Sequence, residues 1–501
     1  QVRASLIRWL ALGAPGDESV QLHEKGLRIE GALVVSDGKG GQALDLEGCT
    51  LAQNLALIAC RFMRAPLLLG ARVQSLFLNR AALPGLTADR LEARGSVSLC
   101  DVHATGAIRL LGAQIGSNLD CTGGRFENAG GKALNADGLE AQGNVFLSDV
   151  HAIGEVRLVG AQVSGSLSCT GGMFETERVN ALNFQGAHVT GTLFWREGSR
   201  ATGAIDLTAA ETGDICDEPA CWPGQGNLLL DRCRYGAFVG KGVSGAERIR
   251  WLDLQTPERF GDDFWPQPWE QCAKVLREMG HAEDARQVLI EKEKRQRSGP
   301  RKRAAAHLSK IRGRIAEVER KAPAHDIDAR LAARSGLIEA WCQLAALRLR
   351  DGALGALIAY GYRPLRALWW LVALWIFGWG VFAAAHDDGG FKPNNAFILA
   401  KPEWAQCEAG GELRGDHPST LACYRAQPEA AGYPRFNALL YSLDTLVPVV
   451  DLEVQDYWVP DERVAPLTRW YLWGHIGMGW FLALLAVAGF SGLVQTKATE
   501  E

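Results

Sequence analysis

The sequence has no surplus of charge of either sign: its 501 residues hold 53 Lys and Arg against 57 Asp and Glu, a formal net charge of −4. A protein that coats nucleic acid needs a basic surface, so no nucleic-acid partner is expected. Cysteine is sparse, with 12 in the whole chain. That is too dilute for a disulfide scaffold, and the cysteines before residue 343 follow no pairing pattern, as in a reduced, intracellular part. Phosphate-cradling loops are lacking too: no Gly-x-Gly-x-x-Gly joins a strand to a helix. The stretch Gly236-Ala-Phe-Val-Gly240-Lys241-Gly242 has the wrong spacing and no hydroxyl after its lysine. Cys216 and Cys221, with Asp214, Asp217, Glu218 and Cys233 nearby, lack the paired Cys-x-x-Cys knuckles of a zinc site and are expected to form a terminal loop. No catalytic residue, metal or cofactor follows from these residues, and no enzyme is expected. The apolar run 6–12 is split by Arg8 and is followed by no small-residue cleavage site, so no signal peptide is read.

What is abundant is glycine, 57 residues, and self-similarity. Residues 86–133 align without a gap to residues 134–181, with 27 of 48 positions identical, the mark of a repeat architecture. Within each copy a glycine followed by apolar residues two and four positions later recurs about every 11 residues. Examples are Gly95 with Val97 and Leu99, Gly106 with Ile108 and Leu110, Gly143 with Val145 and Leu147, and Gly154 with Val156 and Leu158. Such alternation is a short strand with one buried face, and the glycine is assigned to a corner of positive φ. Strand and corner in succession predict a parallel β-solenoid from about residue 27 to about residue 238. On the order of ten coils at ~4.8 Å each would make a rod about 50 Å long. His103 and His151 hold equivalent places in the duplicated unit and are expected at corners. Cys100, Cys121 and Cys169 are expected on or beside inward strand positions, where small thiols pack well.

After the junction Phe264-Trp265-Pro266-Gln267-Pro268-Trp269 the apolar period changes from 2 to 3.6. Ala273, Leu276, Met279, Ala282, Ala285 and Leu289 mark a TPR-like helix pair with its break at Gly280 and His281. One such pair cannot bury its own face, so it is expected to dock on the solenoid or on a second subunit. Then come Lys292, Lys294, Arg295, Arg297, Arg301, Lys302 and Arg303, candidates for contact with anionic lipid headgroups. With the breaker Ser298-Gly299-Pro300 among them, they fit a solvated linker as well. Helical sequence resumes at 311–320 and 329–360.

Two apolar runs, 366–385 and 470–494, are each long enough to cross about 30 Å of hydrocarbon. Aromatic residues near their ends, Trp369, Trp370 and Trp375 in the first and Trp470, Tyr471 and Trp473 in the second, suit the interface. Arg348, Arg350, Arg363 and Arg366 before the first run and Lys497 after the second place both ends in the cytoplasm of a multi-pass inner-membrane protein. The intervening segment, 386–469, carries 13 acidic and 7 basic residues, as suits the outer face. Cys407 and Cys423 are the cysteines that this topology exposes to an oxidising compartment, so a disulfide between them is predicted. Residues 436–447 form an apolar helix too short to span and too apolar for a solvated loop, which predicts a re-entrant or interfacial helix.

Scraps such as Ala88-Asp89-Arg90-Leu91 give the first part a loose resemblance to pentapeptide-repeat and related right-handed β-helix proteins, here in a bacterial membrane protein. The plan of the last 130 residues or so resembles the two-transmembrane pore module of tetrameric cation channels: outer helix, turret, pore helix, filter, inner helix. That resemblance implies a pore helix whose hydroxyl-rich end holds Ser442, Asp444 and Thr445, and a filter region running through Val447 and Pro448 to Asp451 and Glu453. The sequence departs from the family in lacking Thr-Val-Gly-Tyr-Gly and in carrying Pro448, so a ring of Asp451 and Glu453 implies weak cation preference at most. Gly489 and Gly492 would be flexure points of the inner helix. Gly474, Gly477 and Gly479 beside His475 favour close helix packing, and hence a homo-oligomer. The alternative is a helix lying on the outer surface as the lid of a two-helix anchor.

The expected organisation is therefore mainly β plus α. Residues 1–245 form the cytoplasmic solenoid, 246–335 the helical connector, and 336–501 a membrane module with an amphipathic helix at 336–360. Two functions fit: an oligomeric, channel-like assembly whose solenoid senses a small ligand or soluble protein, or a membrane-tethered scaffold that conducts nothing. Membrane lipid is a partner in both.

Overall fold

The computed structural model describes residues 1–16, 23–36, 41, 43–177, 179–255, 264–321, 336–408 and 410–491. It divides into two compact units, Gln1–Gly299 and Pro300–Glu501.

The first unit is built on a parallel β-solenoid of about eight turns. Gln114 sits in register between Glu92 and Glu140, so one coil takes 22 residues and the next 26, and two coils make up the duplicated 48-residue unit. The longer coil holds its extra residues in the strand Arg125–Asn135, whose register with the next strand slips between Glu127 and Lys132. Inward positions form continuous columns: Leu55, Leu76, Val97, Leu119, Val145 and Leu167 stack on one another and are all at most 1% exposed.

Among the glycines expected at positive-φ corners, Gly154 is at φ 123°, but Gly95, Gly106 and Gly143 have no positive φ. Neither has Gly116. A Cβ on Gly95, Gly106 or Gly116 would lie 2.3 Å from Ser75 Oγ, 2.3 Å from the Pro84 carbonyl oxygen and 2.1 Å from that of Arg94, respectively. They are glycine because one coil settles directly on the backbone below. Positive φ falls instead at Gly112, Gly138 and Gly160, and also at Arg80, Arg90 and Asp101. His103 and His151 are likewise on strands rather than corners, above and below Arg125, within 3.6 Å of Glu127 and 3.4 Å of Glu175 respectively.

Both edges of the solenoid are closed. Val2–Arg3 pairs with Leu33–Val35 and runs straight into α1 (Ala4–Ala11), which buries Ala4, Ile7 and Ala11. At the other edge stand α2 (Gly245–Leu252), N-capped by Ser244, and α3 (Gln267–Glu278). Gln267 and Gln271 donate their amides to the Cys233 and Tyr235 carbonyls, so α3 covers the last strand and blocks further pairing. Arg248 of α2 is wholly buried: its guanidinium makes two hydrogen bonds to Asp217, at 2.9 and 2.7 Å, and lies 3.7 Å from the Phe238 ring centre.

Helix α4 (Ala282–Lys321) continues through Pro300, where the sequence predicted a break. The turn before the proline is braced by the Arg297–Glu293 and Arg295–Glu291 ion pairs and by the Ser298 hydroxyl, which donates to the Arg295 carbonyl. Lys292 is a correction to the expected lipid-facing run: it is 1% exposed, between Glu270 at 3.0 Å and Glu293 at 3.5 Å. Arg295 pairs with Asp253 at 2.8 Å, while Lys294, Lys302 and Arg303 are exposed.

In the second unit, Ala304, Leu308 and Ile311 pack on Ala340 and Leu344 of α5 (Leu337–Ile358). The expected helical stretch 329–335 lies outside the described residues. An elbow at Ala359, Tyr360 and Gly361, all at positive φ, leads into α6 (Leu365–Asp387). Helix α7 (Ala438–Leu446) and helix α8 (Pro466–Phe490) follow. By length and composition α6 and α8 are both able to cross a membrane. Between α6 and α7, Cys407 is disulfide-bonded to Cys423, with Cα atoms 5.6 Å apart. Phe391–Pro393 pairs antiparallel with Trp458–Pro460. Gly492 and the end of the second predicted run lie outside the described residues.

Candidate functional site

A nine-residue helix, α7, is wedged between two long apolar ones. Asn437 caps it by accepting from the Leu439 and Leu440 amides. Its first turn lies near the end of α6, where Phe436 stacks on His386 with centroids 4.7 Å apart. Trp375, midway along α6, donates its indole N–H to the Leu439 carbonyl at 3.0 Å. One turn on, the Ser442 hydroxyl donates to the Trp375 carbonyl at 2.9 Å. His475 of α8 completes the junction. The tautomer that satisfies both ring nitrogens donates from Nε2 to the Ser442 carbonyl and accepts the Tyr471 hydroxyl at Nδ1, each at 3.1 Å.

Two glycines make this insertion possible. A Cβ on Gly378 would lie 2.4 Å from Ser442 Oγ, and one on Gly479 would lie 1.7 Å from the Leu446 carbonyl oxygen. Helix α7 therefore ends against the midpoint of α8. Above it Phe382, Phe391, Tyr441, Trp458 and Leu472 form one buried cluster.

The chain then turns back. Asp444, 4% exposed, accepts the Leu452 amide at 2.7 Å and the Gln455 amide at 2.9 Å, tying the segment after α7 to the helix itself. Asp451 caps the next turn by accepting from the Glu453 amide, and Glu453 sits at φ 59°.

The predicted residues divide into two groups. Ser442, Asp444 and Thr445 are buried, and the Thr445 hydroxyl donates back to the Tyr441 carbonyl. Val447 and Pro448 are half-buried, while Asp451 and Glu453 are exposed. On α8, Leu472, His475, Gly479, Leu482, Ala486 and Gly489 form the buried stripe, and Gly489 meets Pro364. Gly474 and Gly477 are on the open face, with nothing within 4 Å of a Cβ. Trp375 and Tyr471, expected as interfacial anchors, bond to the Leu439 carbonyl and to His475, and nothing in the sequence singles out Gly378, whose partner lies far away in the chain.

In the first unit the deeply buried cysteines offer no chemistry. Burial pushes the Cys169, Cys233 and Cys272 thiols up to about 12, so they remain protonated and unreactive at neutral pH. Asp217, a residue of the suspected zinc loop, is committed to Arg248, and no metal-holding group of His, Cys, Asp or Glu is present among the described residues. An open groove of about 850 Å³ on the solenoid wall is floored by Ala56, Ile58 and Phe77 and rimmed by Lys25, Arg28, Arg80 and Asp101. Comparison with protein-family models, curated proteins and solved structures gives no match to this chain.

Proposed function

We propose that the chain is one subunit of an oligomeric, channel-like membrane assembly, with the solenoid on the cytoplasmic side as its sensing or partner-binding domain. The observation that carries this reading is the depth of α7. It enters beside one end of α6, stops against Gly479 in the middle of α8, and the chain returns toward Trp458–Pro460. If α6 and α8 cross a bilayer, the last carbonyls of α7 lie deep in it. Irregular backbone at that depth is tolerated where protein covers it or a water-filled path borders it. In a closed ring of subunits the exposed Gly474 and Gly477 face a neighbouring helix, and Asp451 and Glu453 recur around the axis.

The test is direct. Particles in nanodiscs should be closed symmetric oligomers with α8 toward the axis, and liposomes should pass cations. Asp451→Asn combined with Glu453→Gln should reduce cation preference. A monomer, or sealed liposomes, refutes the proposal.

A second reading, a tethered scaffold without conduction, is favoured by the inward direction of Ser442 and Thr445, whose hydroxyls bond within the chain's own core. There the solenoid groove would take an anion with an apolar body or a partner side chain, and a bound soluble partner would survive removal of the membrane module.

A further inference from the structure

Helix α5 is apolar on two faces, and one of them is covered. Ala340 and Leu344 pack on α4, and the same face buries Asp351 within 3.5 Å of the Arg301 guanidinium. Farther on, Ile358 packs with Ala367 of α6 and Ala486 of α8. The opposite face is open. Ile338, Trp341 and Leu349 are 78%, 57% and 73% exposed, and with Ala345, Gly352 and Ala356 they fall at 3- and 4-residue intervals along one stripe of the helix. No charged residue interrupts that stripe. Arg348 borders it on one side, while Arg350 turns away to pair with Asp351, and Arg363 and Arg366 follow at the elbow. The three-residue elbow leads straight into α6, whose Leu365, Leu368, Trp369 and Trp370 are also exposed.

We propose that α5 docks on the membrane surface at the cytoplasmic leaflet, with Ile338, Trp341 and Leu349 in the acyl-chain boundary and Arg348 reaching lipid phosphates. The inference rests on the membrane reading of α6 and α8 and assigns the lipid contact to a different helix from the basic run of α4. Two features single out lipid as the occupant. The open stripe is followed across the elbow by the exposed apolar surface of a candidate span, and exposed arginines stand beside it, Arg348 along its edge and Arg366 at the start of α6, as in helices that lie in an interface. Because its other face grips α4 and its end grips α6 and α8, α5 is held in one rotational setting, with the open stripe presented to the bilayer.

Spin labels on the full chain in phosphatidylcholine–phosphatidylglycerol nanodiscs test this. The labelled variants are Leu349→Cys, Gln343→Cys and Ile376→Cys, each in a Cys342→Ser background. The expected result is a several-fold excess of collisions with oxygen over a water-soluble nickel complex at 349 and at 376, and the reverse at 343. If 376 lies in lipid but 349 meets the nickel complex freely, the docking proposal is overturned while the membrane reading stands. If 349 and 376 both meet it freely, the membrane reading itself is wrong. Dipolar broadening between labels at 349 would mean that a second copy covers the stripe, which also overturns lipid as the occupant. Thermal melts of each labelled chain, matching the parent, separate these outcomes from misfolding.

Discussion

The two units of this chain place their side chains in opposite senses. In the solenoid, columns of Leu and Val point inward and Arg, Glu and Gln point out, so the interior is apolar and water is the outer medium. In the C-terminal unit Trp369, Ile376, Phe377 and Leu484 are on the outside, while Ser442, Asp444, Thr445 and His475 are hydrogen-bonded inside. A chain folded against water does not leave so much contiguous apolar surface open. The inversion supports the membrane reading of the second unit. It also separates what holds each unit together: apolar stacking in the first, and in the second an apolar cluster joined by polar knots and glycine contacts.

The largest effect is expected where the solenoid breaks its own rule. Asp217→Ala leaves Arg248 charged, buried and unpaired, at a cost of about 3–5 kcal/mol. Denaturant unfolding of the full chain, followed by the β-sheet infrared band, should show that loss. A cost below about 1 kcal/mol would mean that water reaches the pair. The next contrast sets the units against each other directly. Leu119→Ala empties an inward site that is 0% exposed and should cost about 2–5 kcal/mol, whereas Leu484→Ala, on the open face of α8, should cost close to nothing in a monomer within lipid. A large cost for Leu484→Ala would show that a neighbouring subunit packs there, and so sharpens the oligomer proposal.

The disulfide between Cys407 and Cys423 closes a 16-residue separation in the segment between α6 and α7, and its loss in Cys423→Ser should cost about 3 kcal/mol. Protease nicking confined to residues 386–435 would show the loss to be local. A somewhat smaller effect is expected at Gly479. Gly479→Ala pushes a methyl against the Leu446 carbonyl and should cost about 1–3 kcal/mol, while Gly477→Ala, facing open space two residues earlier, should be neutral. Equal behaviour of the two variants would contradict the seating of α7 against α8.

What the sequence made legible follows the same division. A solenoid announces itself because its contacts repeat: the 48-residue identity is visible without any structure. The coil itself stayed hidden, because neighbouring coils of 22 and 26 residues differ by the bulged strand Arg125–Asn135. Gly95, Gly106 and Gly143 were found but misassigned, since a local pattern cannot distinguish a needed φ from a needed absence of Cβ. In the C-terminal unit the apolar runs and the short helix were legible from composition. The contacts of Trp375 and Gly378 were not, because their partners Leu439 and Ser442 lie 64 residues farther along the chain. Pro300 misled for a related reason: helix α4 is held by side-chain ion pairs around it, which a breaker residue does not reveal.

The last predicted effect is absent at neutral pH and concerns alkali, where it separates the units by onset. The Cys169, Cys233 and Cys272 thiols are pushed up to about 12 by burial, against an ordinary value of 9.0. Between those values the folded solenoid holds protons that the unfolded chain has already released. Stability present below pH 9 is therefore lost as pH rises, by up to about 1.4 kcal/mol per pH unit for each thiol. In the C-terminal unit the corresponding group is a phenol. Burial pushes Tyr433 up to about 12 from an ordinary 10.0, so the same decline should begin about one pH unit later. Thermal melts at stepped pH, reading the sheet and helix infrared bands separately, should show the sheet weakening first. Burial also raises the Cys121 thiol, so the chain carrying Cys121→Ala, Cys169→Ala, Cys233→Ala and Cys272→Ala should lose much of that early decline even though its baseline stability is lower, the remainder belonging to the less deeply buried Cys60, Cys100 and Cys216 thiols. If the early decline persists undiminished in that quadruple variant, these four thiols are not its cause.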